Sequence, residues 1–296
     1  MKRRAFKVGY IGSNFYGFQR QPDLRTVEGE IIDTLIDIGY MESPEEGRFR
    51  IAGRTDGGVN SLGNVVSFQS EEEFHINKIN SHLPDDVQFL AEAPVRFGFK
   101  PRYAKERWYR YILFNKDIDL EKLNEVSKLF VGTHNFTNFT KRYQKTTVRT
   151  INKINIIDPK IDADERLNRP YKTNDFDFNQ NFPNLNESYS PIFIDVYGES
   201  FLWNMIRKMM RVFLDYSKAK LTLDDVYNYL NPGEDDKREN IKVLSGENLI
   251  LMDTVYDNIK FKYDDYAVEK FKRYLASQMV YHQKSYGIVE AILNSF

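Results

Sequence analysis

The residues best suited to chemistry in this chain of 296 residues lie in one short stretch, AGRTDGGV, at positions 52–59. Asp56 stands there between Arg54 and the glycine pair Gly57 and Gly58. Glycines allow backbone conformations and close approaches that side chains would prevent. A carboxylate beside an arginine stays ionised below neutral pH, as a nucleophile or a general base requires. The stretch therefore indicates either a catalytic aspartate or a hairpin turn whose aspartate caps its own backbone.

Other common kinds of catalytic site find little support in the sequence. The chain has no cysteine, which excludes thiolate ligands and a cysteine nucleophile and favours a reducing compartment. Its four histidines show no HxH, HxxxH or HExxH spacing, so we expect no dedicated metal site. A GxSxG elbow is missing, and the GSNF loop near the N-terminus has neither the lysine nor the spacing of a P-loop. We therefore expect neither a metal nor a cofactor.

Basic residues are clustered, although the formal net charge of the chain is only −1. The clusters lie at 96–110, 141–153 and 203–220, and the second contains Lys141 and Arg142. Such patches bind phosphate backbones with salt-sensitive affinity, although a charged run is often only a solvated face. The balance of charge thus argues against a protein that coats nucleic acid indiscriminately and leaves room for a local basic cleft.

The elements that must position these residues follow from the hydrophobic pattern, which predicts an α+β fold. The first hundred residues predict a strand at 5–11, a helix with its apolar stripe at 27–36, strands at 49–55 and 64–70 around the Asp56 turn, a helix near 76–82 and a strand at 87–95. The rest predicts strands at 107–114, 149–157, 192–198 and 247–256, with helices at 119–131, at 200–216 and after Thr222, where Asp225 completes a capping box. Two α/β halves sharing one mixed, largely antiparallel sheet, with helices packed on it, would leave a cleft between them for the active site.

We expect the chain to divide into three parts. An N-terminal half carrying the Asp56 turn would span 1–103, and a C-terminal half would span 104–260 with a surface insertion near 158–187. Apolar residues at helical spacing predict a helical extension over 261–296. The basic start lacks the apolar stretch of a signal peptide, and no run of about 18 apolar residues occurs, so we expect a soluble, cytoplasmic protein.

The stretch that carries Asp56, read as AGRTDGGVNSLGNVVSF, resembles the GRTDxGV signature of the TruA-type tRNA pseudouridine synthases. Further blocks resemble the family in the same order: GSNFYGFQRQPDLRTVEGEI, RWYRYILFN, VGTHNFTNF, ESFLWNMIRKM and ENLILMDTVY. The chain departs from the family pattern at Gly57, where alanine is usual, at Asn60, where histidine is frequent, and at Arg211, where glycine is common. None of these departures touches a catalytic atom that the resemblance implies.

The resemblance implies a function and a set of roles. The family isomerises uridine to pseudouridine in tRNA without a cofactor or an essential metal, and its members typically work as homodimers whose paired basic clefts hold one tRNA. Asp56 would be the catalytic nucleophile and Arg207 its ion-pair partner. Tyr109 would contact the target uracil.

The spacing of further residues predicts that their side chains lie near Asp56, Arg207 and Tyr109. Arg107, Tyr109 and Tyr111 alternate on one strand face, although core packing is the alternative for Tyr111. Arg211 lies one helical turn beyond Arg207, on a ridge that begins at Trp203. The residues that we expect to bind the substrate are Arg54, Arg107, Tyr111, Lys141, Arg142 and Arg211.

Two other functions fit parts of the pattern. A non-catalytic protein of the same fold could bind structured RNA as a chaperone, although the joint presence of Asp56, Tyr109 and Arg207 argues against it. A retaining glycosidase could use Asp56 as its nucleophile, but it needs a second carboxylate about 5 Å away, and the sequence places none near the turn. Attack on the ribose C1′, addition to the base and assistance of glycal formation all stay open for Asp56.

Overall fold

The computed structural model describes residues 1–114, 117–141, 146–158, 191–233 and 238–295. Strands within these residues are β1 Lys2–Tyr10, β2 Arg50–Ile51, β3 Asn60–Ser70, β4 Val87–Pro94, β5 Glu106–Phe114, β6 Gly132–Asn135, β7 Val148–Ile157, β8 Pro191–Gly198, β9 Leu249–Val255 and β10 Lys262–Tyr263. Helices are α1 Val27–Asp37, α2 Ile76–Asn80, α3 Leu120–Phe130, α4 Met205–Ser217, α5 Leu223–Leu230 and α6 Asp265–Leu293. The α+β class expected from the sequence is confirmed.

One mixed sheet contains all the described strands. Its order is β10-β4-β1-β3-β9-β5-β8-β7-β6, with β2 paired beside β3. Neighbouring strands are antiparallel except β3 and β9, which run parallel and pair at Asn60–Ile250 and Ser61–Leu251. The Ser61 hydroxyl lies 3.3 Å from the carbonyl oxygens of both Val8 and Leu251. This short parallel pair joins the two halves of the sheet.

The N-terminal half packs α1 and α2 on one face of its strands. Phe6 of β1 stacks with Phe68 of β3 at 5.2 Å and with Phe89 of β4 at 4.9 Å between ring centroids. Helix α1 begins at Thr26, whose side chain accepts a hydrogen bond from the Gly29 backbone N–H, as helix caps commonly do. The apolar stripe predicted for this helix is buried against strands β1, β3 and β4.

The C-terminal half packs α3, α4 and α5 on its strands. Phe130 of α3 meets Phe139 and Phe213 edge-on, with ring centroids 5.4 and 4.9 Å apart. Helix α5 begins with the capping box predicted from the sequence, in which Thr222 and Asp225 each accept from the backbone N–H of the other. Each half therefore has its own hydrophobic core, and the sheet is continuous between them.

Some predicted boundaries differ from the structure for local reasons. The strand predicted over 49–55 is reduced to the two residues of β2, because the chain leaves the ladder to form the Asp56 turn. The helix predicted to begin at 200 begins at Met205, after Asn204 adopts a left-handed φ of 63°. Strands β6 and β10 were not predicted, since segments of two to four residues are too short to show a period of two.

The C-terminal segment returns to the N-terminal half. Strand β10 pairs with β4, and the first turns of α6 bury Val268 and Phe271 against Leu90 of β4. The remainder of α6 exposes large apolar side chains: Val280, Tyr281, Tyr286, Ile288, Val289, Ile292 and Leu293. The insertion predicted near 158–187 lies outside the described residues except for its first position. In the part of the chain that the structure describes, no helix is long and apolar enough to span a membrane.

Candidate active site

The turn that carries Asp56 is held from both sides. The backbone carbonyl of Thr55 accepts from the Phe18 N–H at 3.0 Å, and the Thr55 hydroxyl lies 2.8 Å from the hydroxyl of Tyr10. The Asp56 carbonyl accepts from the Val59 N–H at 3.2 Å, which closes the turn. Gly58 has a φ of +81°, a conformation that L side chains rarely adopt. These contacts fix the backbone from which the Asp56 side chain projects.

Both carboxylate oxygens of Asp56 accept hydrogen bonds from the other half of the molecule. The indole N–H of Trp203 donates to Oδ1 at 2.8 Å, and Nη1 of Arg207 donates to Oδ2 at 3.0 Å. The Asp56 side chain remains 26% exposed. Two fixed donors, one of them cationic, stabilise the anion while leaving it accessible. Such a carboxylate can act as a nucleophile or as a base.

The start of helix α4 supplies both donors, since Trp203 lies in the turn just before the helix and Arg207 lies in its first turn. Arg207 is itself fixed by two further contacts, from Nε to the Leu244 carbonyl at 2.7 Å and from Nη1 to the Asn204 side-chain oxygen at 3.2 Å. The sequence placed Trp203 on the same ridge as Arg207 but did not assign it to Asp56. Spacing on a helix shows which side chains share a face, whereas it does not show which group of the other half they meet.

Arg54 lies two residues before Asp56 but does not pair with it. Its side chain is exposed and makes no ion pair within the described residues. The cation beside Asp56 is Arg207 instead. Arg54 is therefore an exposed cation near Asp56 in the chain and remains available to a ligand.

Tyr109 of β5 lies half-buried beside the site. Its ring meets that of Phe201 edge-on, with the centroids 5.3 Å apart. Burial raises the pKa of the Tyr109 hydroxyl, with the charge of Arg107 lowering it and that of Asp56 raising it. Tyr109 is thus a neutral aromatic group within electrostatic range of the Asp56 carboxylate, suited to lie against a planar base.

Tyr111 lies deeper than the substrate contact expected from its spacing. Its side chain is 2% exposed, and its hydroxyl donates to the Ser245 carbonyl at 3.1 Å. Burial raises the pKa of this hydroxyl to about 12, with the charge of Arg207 acting in the opposite direction. Tyr111 supports the segment whose Leu244 carbonyl accepts from Arg207. Its place in the fold is behind the site.

Arg107 joins three backbone segments. Its Nη2 donates to the Ala52 carbonyl at 3.0 Å and to the Arg102 carbonyl at 2.9 Å, and its Nη1 donates to the Glu199 carbonyl. Ala52 precedes the Asp56 turn, and Glu199 precedes helix α4. The buried guanidinium therefore fixes the two segments that carry Asp56 and Arg207, and these contacts occupy donors that a phosphate would need.

The remaining predicted contacts lie farther along the C-terminal half. Arg211 donates from Nε to Asp215 on the same helix at 2.6 Å, and Lys141 is exposed. Arg142 lies outside the described residues. Sequence reasoning missed Lys208, a buried lysine whose ammonium donates to the Asn138 carbonyl at 2.8 Å. Burial, together with the charges of Lys141 and Arg238, lowers the pKa of Lys208 to about 8.

Acidic side chains near the Asp56 turn do not form a metal site. Among the residues that the structure describes, no group of three or more His, Asp or Glu side chains could hold a metal ion. One acid that spacing had not placed near the turn is Glu247, whose Cγ would lie 3.1 Å from a Cβ added at Gly58. It is exposed and contacts the back of the turn, and it makes no ion pair in the described part of the chain.

Comparison with known proteins places this chain in a family. The family model described as tRNA pseudouridine synthase matches residues 126–257. A protein named tRNA pseudouridine synthase A from Methanobrevibacter smithii is 59% identical over 100% of this chain and 97% of its own length. Proteins of the same name from Methanothermobacter thermautotrophicus and Archaeoglobus fulgidus are 42% and 34% identical, over 96% and 95% of this chain and 93% and 94% of theirs. Among solved structures, the archaeal box H/ACA sRNP Nop10–Cbf5 complex matches with a TM-score of 0.33 and 12% identity, over 72% of this chain and 43% of that chain.

Proposed function

The chain belongs to the tRNA pseudouridine synthase family and isomerises uridine to pseudouridine in tRNA, and we propose that Asp56 is the nucleophile of this reaction. The observation that carries the proposal is the pair of donors on its carboxylate, Trp203 and Arg207, both from the opposite half. They hold one carboxylate between the two halves, and its side chain is still 26% exposed, so a nucleotide can reach it.

The isomerisation moves the uracil from an N1–C1′ bond to a C5–C1′ bond, with the C5 proton lost and N1 protonated. Atoms are conserved, so the residues must hold a detached or rotating base without letting it leave. The target base must also leave its stack, at a cost of roughly a few kcal/mol. We assign Tyr109 to the face of the base. We assign Arg207 to the Asp56 carboxylate, which it orients and whose negative charge it balances. Arg54, Lys141, Arg142 and Arg211 complete the proposal as contacts to the tRNA.

Replacing one carboxylate oxygen tests the assignment. Asp56→Asn keeps the size of the side chain and the turn, so it should leave tRNA affinity and the unfolding midpoint close to those of the wild type. It should lower the rate of pseudouridine formation by at least about 10⁴, the scale seen when a covalent nucleophile is removed. Glu247→Gln is the matched control, because it neutralises a neighbouring exposed acid and should leave the rate unchanged.

Three outcomes separate the proposal from its alternatives. tRNA carrying labelled uridine should yield pseudouridine with the wild type and none with Asp56→Asn. Release of free uracil would indicate a hydrolase, and binding without any product would indicate a chaperone. Asp56 is a structural residue of the turn if Asp56→Asn unfolds the protein or retains full activity.

We extend the proposal to assembly and location. A homodimer, the typical state of the family that the sequence resembles, would bring two basic clefts to one tRNA. Light scattering at micromolar concentration should then give about twice the chain mass of 35.0 kDa, and a particle of single-chain mass would exclude it. We also propose a cytoplasmic location, where the tRNA substrate and a cysteine-free chain are both expected.

A further inference from the structure

The loop that joins β4 to β5 displays two aromatic rings to solvent. Within the segment 96–103, Phe97 is 55% exposed and Tyr103 is 66% exposed. The guanidinium carbon of Arg102 lies 5.2 Å from the centroid of the Tyr103 ring, and the ammonium of Lys100 lies 5.9 Å from it. Large rings held at a surface among cations are a common feature of sites that bind single-stranded nucleic acid.

The backbone of this 96–103 loop is fixed rather than free. Phe99 packs edge-on against Tyr256 with centroids 5.1 Å apart, and the Tyr256 hydroxyl donates to the Pro101 carbonyl at 2.7 Å. The Arg102 carbonyl accepts from Arg107 at 2.9 Å. A ligand that used the exposed rings would therefore order little of the chain, which lowers the entropic cost of binding.

The loop lies close to the catalytic turn. One nitrogen of Arg107 contacts the carbonyl oxygens of Arg102 and Ala52, which places these two oxygens within about 6 Å of each other. Ala52 is four residues from Asp56, at most about 14 Å of extended chain. Tyr103, which follows Arg102 in the chain, therefore lies close enough to the Asp56 turn for one RNA to contact both.

Arginines without acidic partners lie beside the loop. Arg3 is 5% exposed and donates from Nη2 to the Arg48 carbonyl and to the Ser67 hydroxyl, and its Nε and Nη1 have no hydrogen-bond partner among the described residues. Arg48 and Arg50 are exposed and make no ion pair in the same part of the chain. Burial lowers the pKa of Arg3, and the charges of Arg50 and Arg48 lower it further. An anion at Arg48 and Arg50 would offset this repulsion.

The backbone connects this arginine group to the loop, because the Val95 N–H donates to the Arg3 carbonyl at 3.2 Å. We propose that the 96–103 loop, with Arg48 and Arg50, is a second RNA-contact surface, on which Phe97 and Tyr103 stack with unpaired bases of the tRNA while the arginines bind its phosphates. Unpaired bases are the expected ligand, because a duplex covers the faces that an aromatic ring needs. The inference rests on the tRNA substrate proposed for the Asp56 site.

Single substitutions at the rings test the surface. Phe97→Ala and Tyr103→Ala should each raise the dissociation constant and the KM for tRNA about tenfold with kcat unchanged, which lies within the range measured for loss of one stacked base. Tyr103→Phe retains the ring and should behave as the wild type. Tyr266→Ala is the matched control, since this ring of α6 is 61% exposed and also has an arginine, Arg273, 6.0 Å away.

Charge is tested separately by salt dependence. The double substitution of Arg48 and Arg50 by alanine should reduce the slope of log affinity against log salt concentration by about two. Replacing the exposed Lys105, which is paired with Asp257 at 3.0 Å, should change the slope less.

The outcomes are distinct. Unchanged tRNA affinity in both ring variants overturns the inference, as does an equal loss in Tyr266→Ala. A fall in particle mass with unchanged tRNA affinity assigns the rings to contact between copies of the chain and also overturns it. If the wild type binds tRNA but forms no pseudouridine, while the ring variants still lose affinity, the proposed function fails and the second surface stands.

Discussion

Asp56 is held by two groups that differ in what they can do for it. Arg207 supplies charge, whereas Trp203 supplies only a directed N–H and a rigid ring. A neutral donor on one oxygen orients the carboxylate without adding a second cation, which would weaken the nucleophilicity that we propose for it. The arrangement separates orientation from charge compensation at a single side chain.

Trp203→Phe should separate these contributions. The phenyl ring retains much of the packing but cannot donate to Oδ1, so we expect kcat to fall about 10- to 100-fold, the order of one lost hydrogen bond to a charged group, while KM for tRNA changes little. Trp108→Phe is the matched control, because the Trp108 N–H has no hydrogen-bond partner among the described residues. Equal rates for the two variants would remove Trp203 from the positioning of Asp56.

Lys208 gives a pH-dependent signature that is independent of catalysis. Its pKa in the folded protein is lowered to about 8 from the ordinary value of 10.5, chiefly by burial. Between these values the unfolded chain binds a proton that the folded chain has lost, so the free energy of unfolding should rise with pH, by about 1 to 3 kcal/mol. Denaturant unfolding at pH 7.5 and pH 10 should show this rise relative to Lys208→Met. Subtracting the variant cancels the opposite effect of buried tyrosines such as Tyr111, and parallel curves for the two proteins would contradict the expectation.

At the scale of elements, the turn between β2 and β3 contains two neighbouring glycines, and its backbone requires only the second of them. Gly58 has a left-handed φ of +81°, and a Cβ there would lie 3.1 Å from Glu247. A Cβ at Gly57 would meet nothing closer than the Phe15 carbonyl at 3.6 Å, an ordinary contact. The alanine usual in the family at position 57 therefore fits this backbone, and the glycine found here is not required by the chain's own packing.

Alanine at each of these positions should give opposite results. Gly57→Ala should leave the free energy of unfolding unchanged or raise it by up to about 1 kcal/mol, because it restricts the unfolded chain. Gly58→Ala should lower it by about 1 to 2 kcal/mol, because an L residue is strained at this φ. Denaturant unfolding of both variants measures the difference, and an unstable Gly57→Ala would show that the turn needs freedom that its geometry does not reveal.

The same elements show how far the sequence could be interpreted. The helices and long strands could be predicted from the periods of their apolar residues. The pairing of Asp56 with Arg207 could be predicted from the family resemblance. Trp203, Tyr111 and Arg107 could not be placed, since their partners are backbone or side-chain atoms that lie close only after the halves join. Strand β10 was missed because two residues carry no period, and it forms only where β4 offers an unpaired edge.

At the scale of the whole molecule, helix α6 has a buried first part and an exposed second part. Its first turns seal the edge of the N-terminal half through Val268 and Phe271, and its later turns are exposed. Buried apolar area stabilises the fold, whereas exposed turns contribute little beyond their own helix propensity. The two parts of α6 should therefore respond differently to change.

Truncation from residue 280 onward should alter the free energy of unfolding by no more than about 0.5 kcal/mol, as expected for surface changes. Phe271→Ala should lower it by about 3 kcal/mol, because it leaves a cavity against β4. Chemical denaturation of both proteins gives the comparison. A large loss on truncation would show that the exposed apolar face of α6 is covered in solution.

Asp56 and Arg207 are separated by 151 positions in the chain, and this separation determines when the site can form during synthesis. At about 5 to 20 residues per second, a ribosome needs roughly 8 to 30 seconds to add the second residue after the first. Strand β9, which pairs with β3 to join the halves, emerges later still. During its synthesis beside tRNA, the nascent chain therefore carries Asp56 without the two groups that hold its carboxylate. We expect it to become active only near the end of translation. Ribosome-bound chains stalled before residue 203 should form no pseudouridine, whereas chains stalled on a long linker after the last residue should be active.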